Sequence, residues 1–396
     1  MWAKRLTDAR RVEMHVHIAE RGNHNAASAI EIARCAGYRG IVWRDRCDPC
    51  PVEQYICGLA TPRSHVSDPH HRSLACLIGF AVAAILLARA LTTAAARQCW
   101  RVSERATVAE TLTEIDALLA AAGIEPGADA QLLVGHVLGE SRGRVQALAI
   151  MGTPISDEDR ARAMQLADER ASRVPLQHLT GRAAFRGIEL EVGPGVFVPR
   201  PETESVAQFA IDALVAVAVA AQDEAGPIAV DLCTGSGAIA LALANEVPQA
   251  SVWAVEKSPE AHAWASRNVA RLGEGRVQLV LGDVSDATRL LEPLLGRVQV
   301  LVSNPPYVPR GCVPRDPEVR DHDPELALYG GADGLDLVRV ISRVGLDLVV
   351  PGGTLVLEHA EQQGEAIRSL LAADGWRAPA THQDLTLRDR TTTAVR

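Results

Sequence analysis

From Ile228 to the end of the chain, short apolar runs alternate with stretches of helical periodicity, and this rhythm constrains the fold more than any other feature. The strand-length runs fall at 228–233, 251–256, 277–282, 298–303, 353–358 and 391–396. Helices are predicted from 237, from 259, over 335–349 and from 361. Continuously apolar strands separated by helices are buried on both faces, which predicts an α/β fold with a mostly parallel sheet and helices on each side. Such sheets bind ligands outside the carboxyl ends of their strands, so the residues at those ends are the candidates for function.

The first end is "IAVDLCTGSGAIALALA", residues 228–244. Gly235 and Gly237 allow backbone torsions that other residues avoid and let a ligand approach closely. A Gly-x-Gly-x-x-Ala loop fits a nicotinamide or flavin cofactor as well as S-adenosylmethionine. Asp231 bears on the choice. A carboxylate beside the loop opposes a pyrophosphate but can attract the amino group of a methionine moiety, directly or through water. Glu256 ends the next strand, 19 residues after Gly237, where an acid can accept from both ribose hydroxyls. Asp283 ends the third, where it can accept from an adenine amino group.

The fourth strand ends in "LVSNPPYV", residues 301–308. The Asn304 side-chain oxygen and the Pro305 carbonyl are both acceptors. Held at fixed positions, they can grip the two hydrogens of a planar NH2 group. Pro305 and Pro306 fix φ and lower the entropy of holding that geometry. Tyr307 can pack on the planar group and shield it from water. A nitrogen gripped in this way points at whatever lies opposite, and positioning of this kind supplies much of a transfer rate.

Ahead of this domain the text changes twice. Residues 104–180 read as a small helical domain, with helices over Thr107 to Ala122 and Ala130 to Leu138 and a third opened by Ser156 as N-cap and closed by Pro175. Residues 181–396 hold the sheet, preceded by "FRGIELEVGPGVFVPRPETE" at 185–204, whose alternation and Gly193-Pro194-Gly195 turn predict a β-hairpin. Residues 1–103 form an extension of unknown role. Its apolar run 74–88 is short for a membrane span, which needs roughly 20 residues. The run reads as a short membrane anchor, a docked or buried helix, or upstream sequence that is not naturally translated. Cys47, Cys50, Cys57, His70 and His71 cluster nearby, but their spacing matches no zinc pattern, and no metal is expected. Only Cys233 and Cys312 lie beyond residue 100, which suits a reducing cytoplasm.

Charge is equally uneven, about +5 over residues 1–100 and about −14 over the rest. An acidic body argues against sequence-independent binding to nucleic acid, which works by neutralising phosphates.

With both motifs placed, residues 104–396 resemble the HemK/PrmC family, the release factor glutamine methyltransferases. The resemblance rests on "PLQHLTGRAAFRG" (175–187), "VFVPRPETE" (196–204), "DLCTGSGAIALALA" (231–244), "VSNPPYV" (302–308), "ELALYGGADGLDL" (325–337) and "PGGTLVLEHAEQQGEAI" (351–367). It implies a class I S-adenosylmethionine-dependent methyltransferase fold with a seven-stranded sheet, and methylation of the glutamine amide in the Gly-Gly-Gln motif of class-1 peptide release factors. Asp231, Cys233, Thr234, Gly235, Ser236, Gly237, Glu256, Asp283, Val284 and Asn304 would hold S-adenosylmethionine. Asn304, Pro305, Pro306 and Tyr307 would hold the substrate amide, with Arg200, Glu202 and Glu204 on the substrate side. The helical domain would recognise the release factor, and the chain would act as a cytoplasmic monomer without direct nucleic acid contact. Cys233 stands where glycine is frequent in the family, and Val284 where some members carry an aromatic. Three other readings share features of the sequence: an amino-group methyltransferase acting on adenine or guanine, a non-catalytic binding module, and a nicotinamide oxidoreductase. The intact Gly235, Gly237, Glu256 and Asn304 count against the second, and the lack of a hydride-accepting site counts against the third.

Overall fold

The computed structural model describes residues 106–220 and 226–396. The apolar run 74–88 and the Cys47–His71 cluster lie outside the described residues. Five helices open the described chain: α1 (Val108–Ala121), α2 (Ala128–Leu138), α3 (Arg142–Ile150), α4 (Asp157–Ala171) and α5 (Leu176–Thr180). Local signals set their ends. Thr107 and Glu110 form a capping box on α1, and the Ser156 hydroxyl accepts from the Asp159 amide at the start of α4. Ile115, Leu119, Leu133, Val134 and Val145 meet in a core of their own.

A hairpin follows, β1 (Arg182–Phe185) against β2 (Ile188–Glu191). It is shorter and earlier than the sequence predicts. The chain turns at Arg186, whose φ is 50°, and Gly187, rather than at Gly193-Pro194-Gly195. The Pro-Arg-Pro-Glu-Thr-Glu segment leaves the hairpin entirely and opens the helix α6 (Pro201–Ala220). Proline at the first helical position has no amide hydrogen to waste and a φ already suited to the helix, and Glu202 and Glu204 sit favourably in the first turn. By length and composition α6 could cross a membrane. Its Val206, Ala207, Ala210, Ile211 and Leu214 are buried against the sheet.

The remaining elements are β3 (Ile228–Leu232), α7 (Ala238–Glu246), β4 (Ser251–Glu256), α8 (Pro259–Leu272), β5 (Val277–Leu281), α9 (Ala287–Leu290), β6 (Val298–Ser303), α10 (Pro317–His322), α11 (Glu325–Leu328), α12 (Asp336–Leu348), β7 (Val349–Glu358), α13 (Gly364–Asp374), β8 (Arg377–Gln383) and β9 (Asp389–Val395). Seven strands form one sheet in the order β5-β4-β3-β6-β7-β9-β8. It is parallel except where β9 runs antiparallel to β7 and β8. Side chains of α6, α7 and α8 cover one face, and Leu232, Leu301, Ile341, Leu348, Leu355 and Ile367 build the core on the other. From β3 the chain winds outward through β4 and β5, then returns to place β6 on the opposite side of β3. That reversal opens a crevice beyond the ends of β3 and β6. Leu232 pairs with Ser303 in register, so the glycine loop and Asn304 leave the sheet at one level.

Candidate active site

The glycine loop is held from three sides. Cys233, Gly235 and Gly237 have φ values of 62°, 58° and 86°, so the loop threads the left-handed region three times in five residues. Thr234 donates its amide to the Val255 carbonyl at 3.1 Å, which ties the loop to β4. Asp231 is fully buried beneath it. Its Oδ2 accepts from the Thr234 hydroxyl at 2.6 Å and the Ala240 amide at 3.1 Å, while Oδ1 has no partner among the described residues. Burial pushes this carboxyl up to about 7 against the pull of those two hydrogen bonds. The side chain therefore braces the loop from inside and does not line the cleft, in contrast to the ligand contact expected of it.

Glu256 reaches across from the end of β4. Its Oε2 accepts from the Gly235 amide and its Oε1 from the Ser258 amide, both at 2.8 Å. Each oxygen keeps a further lone pair for a ligand. Burial raises its pKa, opposed by these backbone donors. Asp283, beyond β5, is committed elsewhere. Its Oδ2 pairs with Lys257 Nζ at 2.8 Å, and its Oδ1 accepts from the Ser285 amide and hydroxyl. Lys257 and Ser285 hold its pKa down at about 2. Val284 is buried, and both residues line the cleft.

On the β6 side, Asn304 donates Nδ2 to the Thr203 hydroxyl at 3.3 Å. Among the described residues nothing donates to Asn304 Oδ1 or to the Pro305 carbonyl. Tyr307 donates its hydroxyl to Glu358 Oε1 at 3.3 Å, and its carbonyl accepts from Gln363 Nε2 at 2.9 Å. Burial, followed by the Glu358 charge, raises the phenol above its ordinary range. Gly330 closes on the motif from outside: a Cβ there would lie 2.3 Å from the Pro306 carbonyl oxygen. Behind the motif the chain returns, with the Val308 amide donating to Leu328 and the Gly330 amide to Val308.

The segment from 309 to 327 borders the same cleft and is anchored by charge. Arg200 pairs with the buried Asp323 at 2.7 Å and lies over the Phe197 ring. Glu318 of α10 accepts from Arg170 at 2.7 Å and Arg173 at 2.6 Å, which fastens the segment to α4. Glu202 faces the cleft. Glu204 does not: it accepts from the Arg186 amide at 2.9 Å and caps the hairpin turn. One cleft of about 1060 Å³ joins Cys233, Thr234, Gly235, Ser236, Glu256, Asp283, Asn304, Pro306, Tyr307, Arg200 and Glu202. Thr203 and Glu358 also line it, though sequence reasoning gave neither a role. Glu358 was recoverable, because it ends β7 on the same sheet edge as Glu256 and Asn304.

The PrmC N-terminal domain model matches residues 110–181, and a methyltransferase domain model matches residues 229–304. A release factor glutamine methyltransferase of Streptomyces coelicolor is 49% identical over 280 residues, 70% of this chain and 93% of that protein. The chain belongs to the release factor glutamine methyltransferase family. The member from Mycolicibacterium smegmatis is 45% identical, with 71% of this chain and 94% of that protein covered. A more divergent relative, from Streptomyces pristinaespiralis, is a 4-amino-L-phenylalanine/4-methylamino-L-phenylalanine methyltransferase, 36% identical over 73% of this chain and 95% of its own length. Among solved structures, a release factor-specific protein-(glutamine-N5) methyltransferase of Alicyclobacillus acidocaldarius is 25% identical, covers 52% of this chain and 98% of its own, and has a TM-score of 0.31. The cofactor of this methyltransferase domain is S-adenosylmethionine. The donor set suits it, since Glu256 offers acceptors for vicinal hydroxyls and no Cβ at Gly235 crowds the loop.

Proposed function

We propose that this chain methylates the side-chain amide nitrogen of the glutamine in the Gly-Gly-Gln motif of class-1 peptide release factors. The observation that carries this reading is Asn304. Its nitrogen end is occupied by Thr203, so its oxygen faces the cleft as an acceptor at the level of the glycine loop. Thr234, Gly235, Ser236 and Glu256 hold the cofactor, with Asp283 and Val284 at the adenine end and Asp231 and Gly237 shaping the loop. S-adenosylmethionine, when bound, supplies an electrophilic methyl group. Asn304 Oδ1 and the Pro305 carbonyl take the two hydrogens of the glutamine NH2, and Tyr307 and Pro306 close over its plane. Holding the nitrogen in line is the main contribution of these residues.

Arg200 and Glu202 border the substrate side. The helical unit recognises the release factor, and the Arg170–Glu318 and Arg173–Glu318 pairs connect it with the cleft wall. The chain then works in the cytoplasm, where translation terminates. Methyl incorporation into a purified class-1 release factor tests the reading. It predicts incorporation into the native factor and none when the motif glutamine is changed to alanine. Undiminished incorporation into the altered factor refutes it, and preferential labelling of DNA or RNA favours the adenine- or guanine-directed alternative.

A further inference from the structure

An acceptor clamp needs its asparagine the right way round. The two ends of the side-chain amide are nearly the same size, but one accepts and the other donates. With Asn304 reversed, its NH2 would meet the substrate NH2, donor against donor. The Thr203 hydroxyl alone does not prevent this, because a hydroxyl both donates and accepts. Something must fix the direction of the Thr203 hydrogen.

Glu358 is placed to do so. It ends β7, is 2% exposed, and borders both Thr203 and Tyr307. Its Oε1 accepts from the Tyr307 hydroxyl, and its buried Oε2 accepts from no donor among the described residues, which leaves it open to the neighbouring Thr203 hydroxyl. Burial raises this carboxyl to about 7, and the Thr203 hydroxyl, the Arg390 charge and the Tyr307 hydroxyl act in the opposite direction. Thr203 is itself 4% exposed, so water has little access to its hydroxyl.

We propose that Glu358 and Thr203 are positioning residues that set the polarity of the amide clamp. The Glu358 carboxylate takes the Thr203 hydrogen, which leaves Thr203 Oγ1 only as an acceptor. Asn304 must then present Nδ2 to Thr203 and Oδ1 to the cleft. The same carboxylate takes the Tyr307 hydrogen and fixes the ring beside the clamp. In its ionised form this one buried carboxylate thus orients two parts of the amide site without touching the substrate. This inference rests on the amide-methylation reading above.

Thr203→Val keeps the shape and deletes the hydroxyl, whereas Thr203→Ser keeps the hydroxyl. With a purified class-1 release factor and labelled S-adenosylmethionine, Thr203→Val is expected to lower kcat/KM for the factor at least tenfold. Thr203→Ser should stay within about threefold of the native enzyme, and calorimetric S-adenosylmethionine affinity should be unchanged in both. Glu358→Gln is expected to fall with Thr203→Val, and the double variant to be no worse than the poorer single one, because the two act through one path. Equal rates for the valine and native enzymes, equal losses for valine and serine, additive losses, or a matching loss of cofactor affinity would each overturn the proposal. If Glu358→Gln does not fold, the valine–serine comparison decides alone. Failure of the native enzyme to methylate the factor would instead count against the substrate reading, so the two failures are distinct.

Discussion

Replacing Asn304 with alanine separates holding the cofactor from holding the acceptor. The substitution deletes Oδ1, which has no donor among the described residues, and Nδ2, which is bonded to Thr203. A lost neutral hydrogen bond is worth about 0.5–1.5 kcal/mol, a factor of roughly two to twelve. The larger effect is orientation, since a misplacement of about 1 Å at a reacting centre costs on the order of 10²-fold. Together they predict a fall in single-turnover methyl transfer of at least about 10²-fold, roughly 2.7 kcal/mol of barrier. The glycine loop is held by Asp231, Glu256 and the Val255 carbonyl, none of which bonds to Asn304. Calorimetric S-adenosylmethionine affinity should therefore change by less than about threefold, under 1 kcal/mol. A transfer rate within tenfold of native, or a cofactor affinity that falls as far as the rate, refutes this division of labour.

Other perturbations probe the scaffold. Gly330→Ala drives a Cβ to 2.3 Å from the Pro306 carbonyl oxygen and 2.6 Å from that of Gly334, neither of which can yield cheaply, so a stability loss of about 1–3 kcal/mol together with slowed transfer is expected by denaturation and kinetics; an active, fully stable variant contradicts the contact. Glu318→Ala leaves Arg173 only its longer contacts to Asp316 and the Ala122 and Gly123 carbonyls and leaves Arg170 with Asp129, and should cost about 3 kcal/mol in urea unfolding; a cost below about 1 kcal/mol means the pairs do not anchor the segment. Asp231 keeps its proton to about pH 7 when folded and to only about 3.9 when unfolded, so its ionisation costs stability as pH rises between those values. Asp231→Asn should therefore gain on the native protein between about pH 4 and pH 7 in cofactor-free denaturation, and a variant-minus-native stability that stays constant or falls over that range disproves the raised carboxyl. Cys233→Gly relieves a left-handed non-glycine residue and should leave cofactor affinity within about threefold, since only the backbone is required there; a large loss assigns the thiol a contact of its own.

The sheet was legible because its strands are short, apolar and separated by helices of matching period. Five of its seven strands fall where the runs of Val, Ile and Leu fall, within a few residues, and β9 falls on the β-branched run of threonines at 391–393. The exception is β8, "RAPATHQ", an edge strand with little apolar content that holds Pro379 where a ladder bond is dispensable. Its place comes from pairing with β9, which no local pattern announces. The strand-end rule likewise found Glu256 and Asn304, because carboxyl ends of parallel strands converge whatever the side chains are. It could not tell that Asp283 would be consumed by Lys257, an ion pair between adjacent strand ends.

The Pro-Arg-Pro-Glu-Thr-Glu segment shows how one wrong period misplaces a site. Read as a strand, Glu202 and Glu204 point the same way, two residues apart, and both face the substrate. Folded as the first turn of α6, they are about 200° apart around the axis, so only one can face the cleft. Glu202 does, and Glu204 turns back to the Arg186 amide. Thr203, between them and rotated by about 100° from each, lands against Asn304. The alternation in "VFVPRPETE" was real but ended at Pro201, where a proline suited to open a helix also breaks a strand. Two motifs a hundred residues apart thus meet through one hydroxyl. If that meeting matters, a second proline substitution at Glu202, which would keep the helix start but displace the first turn, should impair transfer more than Glu202→Gln; equal effects would mean that the turn's charge, and not its geometry, serves the site.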